Sequence, residues 1–224
     1  MKNIYLLLTL VGVMLTSTIS DASAQRTPSD TINDSEYCDQ HLTIDVAQPC
    51  AHQDTTAPYK VGDYYNENGK EGVVFEVWDN GRHGRIVSLD ETELQWCTYE
   101  QYTREITLGL TNKSDGKANT DKVMQRGDSN QYPAFVWCRN KGADWYLPAK
   151  EELITIYNNK SAINSTLAEY GTKLDRYRYS YYWSSTEYED YEPEFSAWHV
   201  YMYDGNTNPN LKGIFNYVRA VSAF

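Results

Sequence analysis

Five aromatic-anchored motifs, in order through the second half of the chain, constrain its fold more than any other feature. They are Trp145-Tyr146-Leu147-Pro148, Lys150-Glu151-Glu152-Leu153, Tyr182-Trp183-Ser184-Ser185-Thr186, Ala197-Trp198-His199-Val200 and Tyr217-Val218-Arg219-Ala220-Val221. A tryptophan buries a large apolar area and locks the elements around it, so this spacing predicts a scaffold pinned at several points. Between the second and fourth motifs lies a tyrosine-rich stretch with almost no catalytic vocabulary, which points to a protein that binds.

The N-terminus reads as an export signal over 1–24. Lys2 is the positive start, Ile4 to Leu15 the short apolar run, and Ala22-Ser23-Ala24 a small-x-small cleavage site. The mature chain is then expected to begin near Gln25 and to be periplasmic, cell-surface or secreted. No later stretch approaches the ~20 apolar residues of a transmembrane helix, and no cysteine near the cleavage point offers a lipid anchor. Residues 25–58 are polar and cannot bury enough surface to offset their ordering entropy, which predicts a disordered tether. Two triplets in this region, Asp30-Thr31-Ile32 and Asp54-Thr55-Thr56, resemble sites that some gut bacteria O-glycosylate. One domain is expected over 59–224.

The formal charge is -11. It leaves no clustered basic footprint for nucleic acid and argues against docking on anionic lipid. Four cysteines in an exported chain suggest oxidation. Cys38 with Cys50 would close a short loop, leaving Cys97 with Cys138 to staple the domain; the alternative keeps the latter two buried and reduced.

Periodicity predicts strands at Val61 to Tyr65, Gly72 to Trp78 and Arg85 to Leu89, with a turn at Asp79-Asn80-Gly81. Residues 111–130, rich in Asn, Lys, Asp and Gly, read as a long surface loop. Helices follow at Tyr132 to Lys141, after Pro148, and at Ile163 to Tyr170, the last closed by Gly171. Trp198, Val200 and Met202 then share one strand face, and Val218, Ala220 and Ser222 another. The fold class is α+β, with antiparallel strands at both ends and helices in the middle.

The motif order Trp-x-Leu-Pro-x-x-x-Glu-Leu, Tyr-Trp-Ser-Ser-Thr, Ala-Trp-x-Val, Tyr-Val-Arg resembles the C-terminal domain of the Legionella collagen-like adhesin family. Those domains look like members of the C-type-lectin-like fold, which also includes formylglycine-generating enzymes and retroelement-diversified variable proteins. The resemblance spans roughly residues 59–224 and is strongest over 132–224. It implies that Trp145, Leu147, Pro148, Trp183, Trp198 and Arg219 are scaffold residues. Physical chemistry agrees: Arg219 inside an apolar strand needs a carboxylate or carbonyl partner, and Ser184, Ser185 and Thr186 can satisfy local backbone groups.

Tyr177, Tyr179, Tyr181, Glu187, Tyr188, Asp190 and Tyr191 are the candidate ligand contacts. Tyrosine offers large contact area, low conformational entropy and one hydrogen-bonding group. Metal and cofactor sites are not expected. The calcium motifs of the resembled fold fail at Glu192-Pro193-Glu194 and at Trp78-Asp79-Asn80. Cys38-x-x-His41 with Cys50-x-His52 has irregular spacing for zinc. His83 and His199 lack an assignable nucleophile and acid partner, and His199 is expected to face solvent. Arg126-Gly127-Asp128 reads as a chance match to an integrin tripeptide. The expected function is an exported, noncatalytic adhesin-like module that presents a tyrosine-rich surface to a glycan or protein. The alternatives are an appendage assembly subunit, a retroelement-diversified receptor-binding protein and, less favoured, a formylglycine-generating-type enzyme.

Overall fold

The computed structural model describes residues 58–174 and 179–224. The expected signal, most of the tether, Cys38, Cys50 and Tyr177 lie outside them. The described residues open with β1 (Tyr64–Glu67), β2 (Lys70–Trp78), β3 (His83–Val87) and β4 (Thr92–Gln95). Five helices follow: α1 (Tyr99–Tyr102), α2 (Gly116–Met124), α3 (Pro133–Arg139), α4 (Lys150–Asn158) and α5 (Lys160–Tyr170). The chain ends in β5 (Tyr181–Glu187), β6 (Ser196–Tyr201), β7 (Thr207–Leu211), β8 (Phe215–Val218) and β9 (Val221–Ala223). The architecture is α+β, as the periodicity predicts.

The strands form a four-stranded sheet, β1-β2-β3-β9, and a five-stranded sheet, β4-β8-β5-β6-β7. All pairings are antiparallel except β5 with β8, which meet in parallel at Tyr182 and Tyr217. The last strand pairs with β3 through Ile86 and Ser222, so the end of the chain completes the sheet that its first hairpin begins. Consecutive strand residues point to opposite faces. Accordingly Val74, Ile86, Trp183 and Val218 enter one apolar cluster, while Val73, Phe75, Tyr182 and Val200 enter a second.

The stretch 111–130 contains a helix, which corrects the expectation of a long loop. Asp115 caps α2 by accepting from the Ala118 N–H at 2.9 Å. Gly116, Asn119, Thr120 and Val123 form its buried face, spaced three and four residues apart. That face is small and polar, so apolar periodicity passes over it. Asn119 donates to the Asn112 carbonyl and to Ser185, and Thr120 accepts from the Leu147 N–H. Gly116 is required at its place: a Cβ there would stand 2.4 Å from the Leu147 carbonyl oxygen.

Cys97 and Cys138 are free thiols, both buried, which corrects the expected staple between them. They sit beside different groups, Cys97 near Lys212 and Glu187, and Cys138 near Lys141 and Asp90. Burial pushes the Cys97 thiol up to about 12 and raises that of Cys138 as well. They serve as small apolar fillers of the first core cluster. Among the described residues no helix is long and apolar enough to cross a membrane.

Two buried charged residues organise the frame. Arg219, 1% exposed, donates to the Ser88 carbonyl at 2.8 Å and to the Glu91 carboxylate and Thr172 carbonyl at 2.6 Å each. Tyr182 also donates to Glu91, at 2.5 Å. Lys212, likewise 1% exposed, donates to Glu187 at 2.6 Å and to the carbonyls of Pro193 and Glu194 at 2.6 and 3.2 Å. Its ammonium lies 4.7 Å from the centre of the Trp96 ring. Glu187 in turn accepts from the Leu108 and Leu110 N–H groups, the latter at 2.9 Å.

Removing one member of a buried pair strands the other. Lys212→Met is expected to cost about 3–5 kcal/mol, measured by urea denaturation. Adding Glu187→Gln restores part of that loss, because an amide oxygen still accepts from Leu108 and Leu110 and no bare charge remains.

Candidate functional site

The tyrosine-rich face is built on the β5–β6 pair. Cross-strand register sets Tyr181 opposite Tyr201 and Trp183 opposite His199. The Tyr181 and Tyr201 rings stack at 4.5 Å between centroids and 27° between planes. Tyr203 continues the row at 5.7 Å from Tyr201, and His199 lies 4.7 Å from Tyr181. Trp183 follows Tyr181 on the same strand face, and its indole N–H donates to the Leu94 carbonyl at 3.1 Å. Alternation sends Tyr182 to the opposite face, where it stacks on Tyr217 at 5.4 Å.

Other tyrosines at the two ends of the strand pair stand in solvent. Tyr179 is 70% exposed, Tyr203 65% and Tyr191 68%. Tyr181 and Tyr188 are half-buried, and Asp190 is exposed. At the far end of β5, Tyr188 meets the half-buried Trp198 edge-on at 5.0 Å, and the Lys150 ammonium covers that indole at 4.1 Å. The Trp198 N–H donates to Glu189 at 3.4 Å, and Lys113 forms an ion pair with the same carboxylate. Partial burial pushes the Glu189 carboxyl up, but Lys113 and Trp198 outweigh it and hold the group below the ordinary glutamate range.

Two expectations are corrected here. Glu187 is 1% exposed and belongs to the frame, because its carboxylate is consumed by Lys212 and two backbone N–H groups. His199 is 5% exposed rather than solvent-facing, since the Tyr181–Tyr201 stack extends over its strand. Of the residues expected in the scaffold, Trp145, Leu147, Pro148, Trp183 and Arg219 are buried, and Trp198 is half-buried. Tyr201 and Tyr203 join the face although their motif drew attention only to Trp198, Val200 and Met202. The period of two carries the signal for Tyr201: if Trp198 and Val200 face one way, His199 and Tyr201 face the other, while Tyr203 follows in the turn after β6 and reaches the row through Tyr201.

Among the described residues no group of three or more His, Cys, Asp or Glu is placed to hold a metal ion. Arg126 and Asp128 of the integrin-like tripeptide pair with each other at 2.8 Å. The outer edge of the sheet is blunted at β7: Pro209 has no N–H, and Asn210 Oδ1 accepts from the Leu211 N–H at 2.9 Å.

Burial lowers the His199 pKa to about 4, from 6.5. The neutral ring is favoured in the fold, so the unfolded chain takes up its proton first as pH falls. Stability is therefore full above the unfolded pKa, declines below about pH 6.5, and has lost about 3 kcal/mol once pH passes about 4. His199→Gln is expected to remove this component, read as a smaller difference in urea midpoint between about pH 7 and about pH 4.5.

The family model described as the Lcl C-terminal domain matches residues 85–222, which take in all five aromatic motifs, both buried charge hubs and the tyrosine face. No curated protein matches the chain. With the match covering more than half of its 224 residues, the chain belongs to the Lcl C-terminal domain family.

Proposed function

We propose that this protein is an exported, noncatalytic, adhesin-like binding module of C-type-lectin-like type, which presents its tyrosine face to a glycan or a protein. The observation that carries this reading is the aromatic row Tyr181–Tyr201–Tyr203 beside exposed Tyr179 at one end of an antiparallel pair, with exposed Tyr191 in the β5–β6 connection at the other end. Such rings offer flat faces to sugar C–H groups or peptide side chains and lose little entropy when contacted. The row continues from buried Trp183 along the same strand face, so the surface is organised before a ligand arrives and its ordering cost is low.

Further features support the same reading. The leader over 1–24 suits export. The blunted β7 edge favours recognition by the sheet's face over strand addition. His199 is held neutral against Tyr181 and Trp183, and neither ring supplies an activated nucleophile. The second reading, an appendage assembly subunit, draws on exposed Leu211, Ile214 and Phe215 around the β7–β8 turn, 46%, 38% and 62% exposed.

Glycan and protein arrays probed with the full chain test the proposal. The triple variant Tyr179→Ala, Tyr191→Ala, Tyr203→Ala is expected to keep the melting temperature, because all three rings are mostly exposed. Its affinity for array ligands should fall at least about tenfold, roughly 1.4 kcal/mol. Equal binding by a normally folded variant would sink the assignment. Self-association of the full chain without any array ligand would favour assembly.

A further inference from the structure

A cleft of about 450 Å³ shares no residue with the aromatic row; Asn66, Glu71, Leu89, Asp90, Lys141 and Trp145 line it, with Gly69 at its lip. One lip is the tip of the β1–β2 hairpin, where Glu67 pairs with Lys70 across Asn68 and Gly69. Both turn residues have positive φ, 53° and 74°, the geometry of a tight hairpin turn that matches strand twist. The second wall is the β3–β4 connection, held from behind by the Ser88 carbonyl's bond to Arg219. The third is the chain leaving α3, with Lys141 and the nearly buried Trp145. The volume falls within the range that small-molecule sites occupy.

The polar groups of this cleft discriminate among ligand classes. Lys141 donates to both Asp90 oxygens, at 2.6 and 2.7 Å, and its ammonium is pinned 4.1 Å from the centre of the Trp137 ring. Its charge is thus already matched, and Glu71 has no ion pair among the described residues. An anion would face two carboxylates with no free cation. A cation would gain only Glu71, which is exposed, and such surface pairs contribute little. Neutral hydroxyls fit better. They can donate to the Asp90 and Glu71 oxygens in charge-assisted bonds and use both ends of the Asn66 amide. Leu89 and Trp145 supply apolar wall for the C–H face of a ring.

We propose that this cleft is a binding site for a single neutral sugar residue or a comparable cyclic polyol, separate from the tyrosine face. The proposal does not depend on what the aromatic row binds. Gly69 provides the decisive variant. A Cβ at Gly69 meets nothing within 4 Å, so a side chain has room at the lip of the cleft. Asn tolerates the left-handed turn, so Gly69→Asn keeps the hairpin while obstructing the opening.

The test is two-dimensional amide and indole NMR of the full chain, titrated with methyl α-glucoside, galactose and N-acetylglucosamine. At least one probe is expected to move the Trp145 indole N–H and Gly69 amide signals saturably, in the millimolar range. Gly69→Asn should weaken that effect at least tenfold while the chain stays folded, its melting temperature lowered by no more than about 4 °C because a side chain at this positive φ carries some strain. Glu71→Gln should retain it within about threefold, because an amide oxygen still accepts from hydroxyls. No saturable shift with any of the three sugars up to about 50 mM would overturn the proposal. Stronger shifts of the same signals by methylammonium or acetate would also overturn it. Loss of the sugar shifts in the Tyr179→Ala, Tyr191→Ala, Tyr203→Ala variant would place the sugar on the tyrosine face and end the cleft proposal. Shifts that persist in that variant while array binding also persists would leave the cleft standing and remove the tyrosine face.

Discussion

The buried pair of Lys212 and Glu187 is the interaction on which the rest of the structure depends. Its two side chains collect polar groups from several otherwise separate stretches: the N–H groups of Leu108 and Leu110, and the carbonyls of Pro193 and Glu194. The Lys212 backbone carbonyl accepts from Trp96 and Cys97, and its N–H donates to Phe195. These are irregular segments, and irregular backbone inside a core has no ladder to satisfy it. One cation and one anion supply the missing partners. Burial pulls the Lys212 pKa down, and the Glu187 carboxylate beside it opposes that pull.

Arg219 solves the same problem elsewhere in the fold. It lies between β8 and β9, where the chain passes from the five-stranded sheet to the four-stranded one. By engaging Ser88, Glu91 and Thr172 it joins the β3–β4 connection to the segment after α5. Thr172 also donates its N–H to the Leu89 carbonyl. The two hubs therefore hold connections in place, while the sheets and helices fill the two apolar clusters between them. Binding surfaces gain from this division, since loops fixed by hubs present side chains at little entropic cost.

What the sequence revealed followed from local signals. The alternation of Tyr182 and Trp183, Gly171 closing α5 and the need of Arg219 for oxygen partners are all readable from one to four neighbouring residues. The misread features lack such signals. The α2 face is Gly116, Asn119, Thr120 and Val123, whose burial comes from a polar match to Asn112, Ser185 and Leu147 and not from hydrophobicity. Glu187 sits among tyrosines and acids that resemble a contact surface, and only the three-dimensional fold brings Lys212 to it. Cys97 and Cys138 each follow a tryptophan, which indicates burial correctly, but burial does not specify the distance between two sulfurs. The tyrosine face is half legible: Tyr179 and Tyr181 by composition, Tyr201 only by carrying strand parity through His199, and Tyr203, in the turn after β6, by no local signal.

An open row of tyrosines on an edge-proximal strand pair is a hazard as well as a tool. Aromatic, β-prone segments beside an unpaired edge invite strand-to-strand association. Here β7 stands between the row and solvent on that side, and Pro209 and Asn210 remove two of the donors an incoming strand would need. The acidic residues Glu189, Asp190, Glu192 and Glu194 add like-charge repulsion between copies of the chain. The exposed rings thereby stand in solvent while backbone pairing is disfavoured. Because Tyr179, Tyr191 and Tyr203 take little part in either core, the face can change its side chains without loosening the frame. Trp183 cannot: its indole fills the first cluster and fixes β4 through Leu94, so a change there would alter fold and face together.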